Sequence, residues 1–422
     1  MKPSTEKIAT FSKEFTHQES IPEAGIQRAI ELMRSGRLHR YNTAADEVSE
    51  VSLLEQEYAD YVGAKYCLGL SSCGSAIHVA LKSVGIGPGD QVLCNAFTLA
   101  PVPGAIENAG ASPVFVEITA DYLTDLDDLE TKAVRSGARF LLLSHMRGHI
   151  VDMDQVADMC DRLGIVLIED CAHTVGCRWN GRFTGTFGKV GCYSSQTYKH
   201  MNSGEGGLLV TDDDDVIAKA ILYSGSYMLY ERHTSRPSME IFERHKKLIP
   251  NFSLRMSNLI AALLRPQLAD LDRQCQRWNR RYRLLETELR QVPHIYVPVR
   301  LPQEEFVGSS LQFTLEDADY SLMKTFLETC AERGVEIKWF GAQEPVGFTS
   351  SWESWQYIED IPELPQTRNT LDFMCDFRIP LTFSMADCAI IATVIGQVAT
   401  EIFSNAYKRS IKAKNEMKNM RT

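Results

Sequence analysis

The sequence lacks the features that would assign it to several special classes of protein. No apolar run reaches the roughly 18 residues of a membrane-spanning helix, and the N-terminal stretch MKPSTEKIATFSKEF has no apolar segment typical of a signal peptide. The 11 cysteines form no CxxC pair and are odd in number. We therefore expect a cytoplasmic protein with reduced thiols, with no disulfide framework, no metal site and no membrane contact.

An excess of basic residues is also missing. Lys and Arg total 44 against 55 Asp and Glu, which gives a formal net charge of −11. A nucleic-acid-binding protein usually has a basic face, so we expect no nucleic-acid partner. The absence of a GxxxxGK[ST] motif argues against a nucleotide P-loop. A small anionic substrate stays compatible with the acidic chain, because a pocket can be locally positive.

What the sequence does contain is a regular alternation of short apolar runs with helical segments. Residues 20–60 are expected to be helical, with SLLEQEYADYVG ended by Gly63. The predicted strands that follow are Tyr66–Ser71, Gln91–Asn95, Pro113–Ile118, Arg139–His145, Ile165–Asp170, Gly191–Ser195 and Gly207–Thr211. This alternation predicts an α/β domain with a mostly parallel seven-stranded sheet. The seventh strand follows the sixth after a short link, so it is expected to be an antiparallel addition.

The pattern changes towards the C-terminus. Residues 255–292 predict one long helix or two, and later segments predict strands at Leu311–Leu315 and Gly334–Trp339 with helices near 320–332 and 385–402. We predict two domains: 1–270, an N-terminal segment with the large α/β domain, and 271–422, a smaller α+β domain. The basic tail AYKRSIKAKNEMKNMRT is interpreted as an exposed helix end that frays, in preference to an anion-binding contact.

Three separated features could carry chemistry. Asp170 ends the apolar strand IVLIED, which places a carboxylate at the carboxyl edge of a parallel sheet, where α/β sites lie. In SSCGSAIHV, Gly74 and Ser75 open a helix whose free amides could bind phosphate. Lys199 lies between Ser194 and the glycines of GEGG, and burial could make its amine neutral and nucleophilic. Taken singly, each has a plain structural reading: an ion pair or helix cap, a serine N-cap, and a tethered loop lysine.

Taken together, the three features are the parts of a pyridoxal 5′-phosphate (PLP) pocket. The lysine would bind the cofactor aldehyde, the aspartate would keep the pyridine nitrogen protonated, and the helix N-terminus would anchor the phosphate. Lys199 could then also move a proton as general acid and base.

At this point the sequence resembles the DegT-type sugar aminotransferases of fold type I. The resemblance runs from about Leu38 to Leu268, with a weaker trace to about residue 400. Six blocks carry it in the family order: SSCGSAIHVAL, AFTLAPVPGAIENAGASPVFVEI, LSHMRGHIVDMDQV, LIEDCAHTVGCRWNGRFTGTFGKVGCYS, KHMNSGEGGLLVTDD and LRMSNLIAALLRPQL.

The resemblance implies roles for individual residues. It makes Lys199 the Schiff-base lysine and Asp170 the pyridinium partner. It places three residues at the phosphate: Ser75, Ala76 and Ser194. His173 falls against the cofactor ring or its phenolic side.

Two positions depart from the family pattern. Leu99 stands where the family usually has a ring-stacking aromatic, with Phe97 two residues before it. In NFSLRMSNL, Asn251 lies four residues before Arg255, and Ser253 occupies the place where the family has an Asn that reaches the neighbouring subunit's phosphate. The resemblance therefore leaves open which of Asn251 and Ser253 would contact the partner.

The resemblance also implies a reaction and an assembly. It implies a homodimer with sites at the interface and a ping-pong transamination from glutamate or glutamine to a ketosugar or cyclitol ketone. A related sugar dehydratase would have a histidine in place of the lysine, which the presence of Lys199 argues against although His200 is adjacent. A non-catalytic PLP-binding sensor is a further alternative. Arg147 and His149 lie in a loop that could meet a charged or hydroxylated substrate, or could be purely structural.

Overall fold

The computed structural model describes residues 8–44 and 46–419, without the side chains of residue 410 and of residues 412–419. The helices are α1 Glu23–Ser35, α2 Glu50–Val62, α3 Cys73–Val84, α4 Pro101–Asn108, α5 Leu126–Ser136, α6 Met153–Leu163, α7 Asp214–Ser224, α8 Met239–His245, α9 Asn258–Ala269, α10 Leu271–Leu289, α11 Tyr320–Glu332, α12 Pro365–Asp372 and α13 Met385–Asn419. Three short 3₁₀ helices lie at Met146–Gly148, Tyr230–Arg232 and Trp352–Ser354.

The strands form three sheets. They are β1 Tyr66–Leu70, β2 Gln91–Asn95, β3 Ser112–Val116, β4 Phe140–Ser144, β5 Val166–Asp170, β6 Arg178–Trp179, β7 Arg182–Phe183, β8 Val190–Ser194, β9 Gly207–Thr211, β10 Ile295–Tyr296, β11 Glu304–Glu305, β12 Ser310–Leu315, β13 Lys338–Trp339 and β14 Met374–Arg378. The central sheet has the order β1-β9-β8-β5-β4-β2-β3.

The central sheet confirms the predicted fold class. All seven predicted strands are present, with ends shifted by at most two residues, and β9 is the antiparallel strand that runs against both β1 and β8. Its strands are apolar along their length because both faces are buried. In β4, for example, Leu142 packs into the core on one face of the sheet, and Leu141 and Leu143 pack into a second core on the other face.

Three polar residues end neighbouring parallel strands of this sheet. Ser144 ends β4, Asp170 ends β5 and Ser194 ends β8, and β5 lies between the other two strands. Helix α3 begins directly after β1, with Ser72 as its N-cap. The fold therefore collects a carboxylate, two hydroxyls and a helix N-terminus at one edge of the sheet.

The C-terminal part contains a second, antiparallel sheet of order β10-β12-β14-β13. Residues 255–292 form two helices, α9 and α10, with Asp270 between them. The strand predicted at Gly334–Trp339 is shorter, because only Lys338–Trp339 pairs with β14. The predicted helices near 320–332 and 385–402 are present, and the second continues to Asn419 through the basic tail, whose side chains lie largely outside the described residues.

Helix α13 is long and apolar between Met385 and Arg409, enough to cross a membrane by length and composition. In this structure its apolar residues, Cys388, Ile391, Ile395 and Val398 among them, pack in the core of the C-terminal sheet. Such a pattern is equally typical of the core helix of a soluble protein.

The hydrophobic cores combine residues from both ends of the chain. Phe11 and Phe15 from the N-terminal segment join the core of the C-terminal sheet, whereas Trp352 and Leu371 join a core on the central sheet. The division at residue 270 stays a prediction.

Close packing at the start of β9 generates a stability prediction. A methyl group on Gly207 would lie 2.7 Å from the backbone nitrogen of Cys73 and would also collide with the Ser72 carbonyl. The Gly207→Ala variant should therefore lose ~1–3 kcal/mol in free energy of unfolding, measured by chemical denaturation. Gly87→Ala is the matched control, because nothing lies within 4 Å of a methyl there. Equal stability of the two variants would contradict the packing argument.

Candidate active site

A cavity of about 510 Å³ lies at the edge of the central sheet described above. Six of the residues predicted from sequence line it: Gly74, Leu99, Asp170, His173, Ser194 and Lys199. Residues from the C-terminal part close another side, among them Ser309, Ser310, Phe348 and Arg378. The cavity thus joins residues that are up to about 300 positions apart in the chain.

Asp170 is held by neutral donors. Its Oδ2 atom accepts a hydrogen bond from Ser144 Oγ at 2.7 Å, and Oδ1 accepts one from the backbone nitrogen of Ala172 at 3.1 Å. The Cys73 thiol lies 3.8 Å from Oδ1. The residue is 6% exposed, and no lysine or arginine side chain that the structure describes forms a salt bridge with it. A buried carboxylate without a cationic partner suits a ligand that carries a protonated nitrogen.

Lys199 lies in the loop that connects β8 to β9, and its amine faces the cavity. Nζ is 2.7 Å from Nε2 of His173. Burial, and then the positive charge of Arg147, lower the pKa of the Lys199 amine to about 7. Burial and the nearby Lys199 charge hold the pKa of His173 well below its usual range, so a neutral imidazole accepts the hydrogen bond from the amine.

His200, next to Lys199, serves a different purpose. Its Nδ1 lies 2.7 Å from the carbonyl of Val175, and Nε2 lies 2.9 Å from Ser309 Oγ. Both ring nitrogens are therefore engaged, and burial lowers the pKa of His200 to about 4. His200 thus links the loop between β8 and β9 to the C-terminal part of the chain. Lys199, in contrast, keeps its amine in the cavity as a possible nucleophile.

The N-terminus of α3 differs in detail from the sequence expectation. Ser72 Oγ accepts a hydrogen bond from the backbone nitrogen of Ser75 at 3.0 Å, and Ser75 Oγ lies 2.9 Å from Ser72 Oγ and 3.0 Å from Ser71 Oγ. Ser72, Cys73 and Gly74 line the cavity, whereas Ser75 does not, and the Ala76 side chain is buried in the core. The roles predicted for Ser75 and Ala76 stay predictions, and Ser72 is a cavity residue that sequence reasoning missed.

The two positions that depart from the family pattern lie in different places. Leu99 lines the cavity, but Phe97 is buried with its ring centroid 5.3 Å from that of Phe340 and does not line it. Asn251 is exposed and not part of the cavity lining; its Oδ1 accepts a hydrogen bond from Ser253 N at 2.9 Å. Whether Asn251 or Ser253 reaches a partner subunit stays open.

The GEGG segment, residues 204–207, ends at the first residue of β9. In the structure, Glu205 lines the cavity, but Gly207 makes its close approach to the chain's own backbone at Ser72 and Cys73. The glycine thus sets the position of the α3 N-terminus.

One buried cluster outside the cavity combines metal-ligand types. Atoms of His145, Glu169 and Cys171 lie within 4.8 Å of one another. Glu169 accepts hydrogen bonds from the backbone nitrogens of Gly185, Phe187 and Gly188, all at 2.8 Å, and burial raises the pKa of the Cys171 thiol. Because the Glu169 carboxylate already accepts hydrogen bonds from three backbone amides, we interpret this cluster as a structural support for the turn at residues 185–188.

Comparison with known proteins decides the family. The model of the DegT/DnrJ/EryC1/StrS aminotransferase family matches residues 20–385. The chain belongs to this family. Among solved structures, 3-amino-5-hydroxybenzoic acid synthase shares the fold with a TM-score of 0.78 at 21% identity, covering 94% of this chain and 100% of that one. The PLP form of the sugar aminotransferase Spr1654 from Streptococcus pneumoniae, described as putative, has a TM-score of 0.76 at 19% identity, with 91% and 98% covered.

Curated proteins with similar sequences carry different names. A "Pleiotropic regulatory protein" of Geobacillus stearothermophilus is 33% identical over 58% of this chain and 60% of its own. Spore coat polysaccharide biosynthesis protein SpsC of Bacillus subtilis is 30% identical over 66% and 70%. The L-glutamine:2-deoxy-scyllo-inosose aminotransferase of Streptomyces kanamyceticus is 32% identical over 57% and 56%. The matched segments span about 56–70% of these three family members.

The environment of Lys199 predicts unusual reactivity of its amine. A lysine amine is reactive only when neutral, and with a pKa of about 7 the neutral fraction of Lys199 should rise through neutral pH. Competitive labelling of the cofactor-free protein with acetic anhydride across pH, read by mass spectrometry, measures that midpoint. Arg147→Gln removes a nearby positive charge and should move the midpoint to higher pH.

Lys65 provides the internal control in the same samples. It lies at the surface, and its hydrogen bond to Asp214 raises the pKa of its amine. A Lys199 midpoint as high as that of Lys65 would contradict the assigned environment.

Proposed function

We propose that this chain is a PLP-dependent aminotransferase that moves an amino group from glutamate or glutamine to the ketone of a sugar or cyclitol. The observation that carries the proposal is that one cavity holds an amine with a lowered pKa and a buried carboxylate without a cationic partner. Membership of the aminotransferase family supports it. The same proposal includes a cytoplasmic homodimer with sites at the subunit interface.

The cavity residues fit PLP at both of its ends. Asp170 would bind the protonated pyridine nitrogen, since the carboxylate has only neutral hydrogen-bond donors. Backbone amides at the start of α3, around Cys73 and Gly74, and the hydroxyls of Ser72 and Ser194 would bind the phosphate. When bound, the cofactor supplies an electron sink for the substrate carbon that loses its proton. The PLP form of the structural neighbour Spr1654 supports the choice of cofactor.

Lys199 has two tasks in this proposal. Its neutral amine would hold the cofactor covalently at the aldehyde carbon. The same Nζ, once free, would act as general base and then general acid towards the substrate, and a pKa of about 7 suits both directions near neutral pH. His173, neutral and 2.7 Å away, orients the amine in the cavity.

The substrate class is supported by the named relatives. One is an L-glutamine:2-deoxy-scyllo-inosose aminotransferase, and another is a dTDP-3-amino-3,4,6-trideoxy-alpha-D-glucose transaminase from Micromonospora megalomicea, 34% identical over 53% of this chain. One name describes amino transfer to a cyclitol ketone, and the other describes amino transfer involving a nucleotide-linked sugar. The polar cavity wall formed by Ser309, Ser310 and Gln196 is consistent with a hydroxylated acceptor.

A second candidate is a cofactor-binding sensor without turnover, which the name of the G. stearothermophilus relative favours. Both candidates require Lys199 to bind the cofactor, but only the enzyme consumes an amino donor. Loss of the visible absorption band of the bound cofactor on addition of glutamate or glutamine, and its return with a ketone, distinguishes the enzyme from the sensor. A band that no amino donor changes would favour the sensor.

Substitution of the two charged residues tests the proposed roles. Lys199→Ala should abolish covalent cofactor attachment and turnover while the protein stays folded. Asp170→Asn should retain cofactor but lower the amino-transfer rate by about 100-fold or more, since the ring nitrogen loses its anionic partner. Cofactor absorbance and single-turnover rates measure both effects.

Lys247→Ala, at an exposed lysine, is the control for these measurements. Normal turnover of Lys199→Ala would refute the assignment of the lysine.

A further inference from the structure

Arg147 lies in the short turn that follows β4, and its backbone φ of 54° is one that non-glycine residues rarely adopt. This turn directs a guanidinium group into the lining of the cavity, where the residue is only 7% exposed. Its Nη2 atom lies 2.8 Å from Asp376 Oδ2, yet neither Nε nor Nη2 makes a hydrogen bond to any of the described residues. A buried guanidinium with unused donors is rare, because each such donor loses its hydrogen bonds to water.

Asp376 does not satisfy Arg147 fully. Its Oδ1 atom accepts a hydrogen bond from Gln312 at 2.7 Å, and its Oδ2 atom is also 3.8 Å from the amine of Lys338. One carboxylate is therefore shared by two cationic side chains. The arginine keeps donors and part of its charge for another group in the cavity.

Arg378, the last residue of β14, lines the same cavity from the C-terminal part. Its guanidinium carbon lies 3.6 Å from the ring centroid of Tyr198 and 5.6 Å from that of Phe348. A guanidinium has five N–H donors, so one that lies over a ring can still bind a planar anion. Arg378 is close enough to Lys199 for its charge to add to the lowering of the amine's pKa that burial and Arg147 cause.

The two arginines act on each other and on the lysine. Burial and then the charge of Arg147 lower the pKa of Arg378, and the charges of both arginines lower the pKa of Lys199. The anionic residues in the cavity lining are Asp170 and the exposed Glu205. In the proposed function, Asp170 is already used to bind the ring nitrogen of the cofactor. Like charges gathered in a partly closed cavity are stabilised when an anion binds between them.

We propose that Arg147 and Arg378 form a binding subsite for a carboxylate group of the substrate beside Lys199. A guanidinium binds a carboxylate with two parallel hydrogen bonds, and the second arginine adds its charge. The identity of the carboxylate rests on the proposed function: it belongs either to the amino donor or to an acidic keto acceptor. Binding of a carboxylate as such does not depend on turnover.

The test is calorimetric binding of succinate to the protein as purified, at constant ionic strength. Succinate has no amine and no ketone, so it cannot undergo amino transfer. Wild type should bind succinate but not its neutral diamide, succinamide. Arg147→Gln and Arg378→Gln should each weaken binding by about 10-fold or more, as expected for a charge-assisted hydrogen-bonded pair. Arg378→Lys should recover part of the loss, because the charge stays while the fork is absent.

Arg244→Gln is the matched control, since the side chain of this arginine is 59% exposed and pairs with Asp215 at the surface. If Arg147→Gln does not fold, as its buried contact with Asp376 allows, the two Arg378 variants decide the question. Unchanged succinate affinity in the Arg378→Gln protein, or equal binding of succinate and succinamide, would overturn the proposal.

Separate half-reactions identify the source of the carboxylate. If the arginine variants slow the reaction of glutamate with the bound cofactor, the donor carboxylate occupies the subsite; if they slow only the reaction with a keto acid, the acceptor does. A protein that binds succinate through these arginines but whose cofactor no amino donor changes would retain the subsite and refute the proposed enzyme. If the bound cofactor reacts normally with an amino donor but the arginine variants bind succinate as wild type does, the proposed enzyme is supported and the carboxylate subsite is refuted.

Discussion

The cavity depends on a carboxylate and an amine that the fold keeps from pairing directly with each other. Asp170 is held by Ser144 and the Ala172 amide, whereas the Lys199 amine is held by His173 at 2.7 Å. A lysine and an aspartate in one buried cavity would otherwise gain from direct pairing. Because each is bound to neutral partners instead, the carboxylate remains available for a cationic ring nitrogen and the amine remains close to neutral. The space between them is what a cofactor ring would occupy.

Strand register produces this separation. Ser144 is aligned with Asp170 across β4 and β5, and Asp170 with Cys192 across β5 and β8, so the serine hydroxyl meets the carboxylate at the edge of the sheet. Lys199 comes from the irregular loop after β8, one strand away. Loops at the carboxyl edge of a parallel sheet can vary in sequence and length while the strands stay fixed. The loop after β8 can therefore position the Lys199 amine on a rigid core.

Sequence patterns predicted the parts of the site that are local and missed those that depend on register or on distant packing. The seven central strands were recognisable because burial on both faces leaves a continuous apolar run, and Asp170 and Lys199 because their neighbours form distinctive blocks. Ser144 could not be recognised, since its contact arises from the pairing of β4 with β5. Ser72 was missed because Ser72 and Ser75 both lie at the start of α3, and the sequence does not show which of them faces the cavity. The structure shows that Ser72, the N-cap, does so. Arg378 lies at the end of β14, in the part of the chain with the weakest pattern, and only the fold brings it to Tyr198.

The cavity has two walls of different origin, and under the proposed function this division would separate chemistry from specificity. The central sheet supplies the residues that would hold a cofactor, whereas the C-terminal part supplies Arg378 and, through Asp376 and Gln312, also sets the position of Arg147. His149 joins the same network, with Nε2 2.9 Å from Gln312 Oε1. Burial keeps the pKa of His149 well below its usual range, so this contact adds no further charge. A change in the C-terminal sheet would thus alter which anion fits beside Lys199 without moving Asp170 or the start of α3, and relatives of one fold could accept different substrates with the same reactive amine.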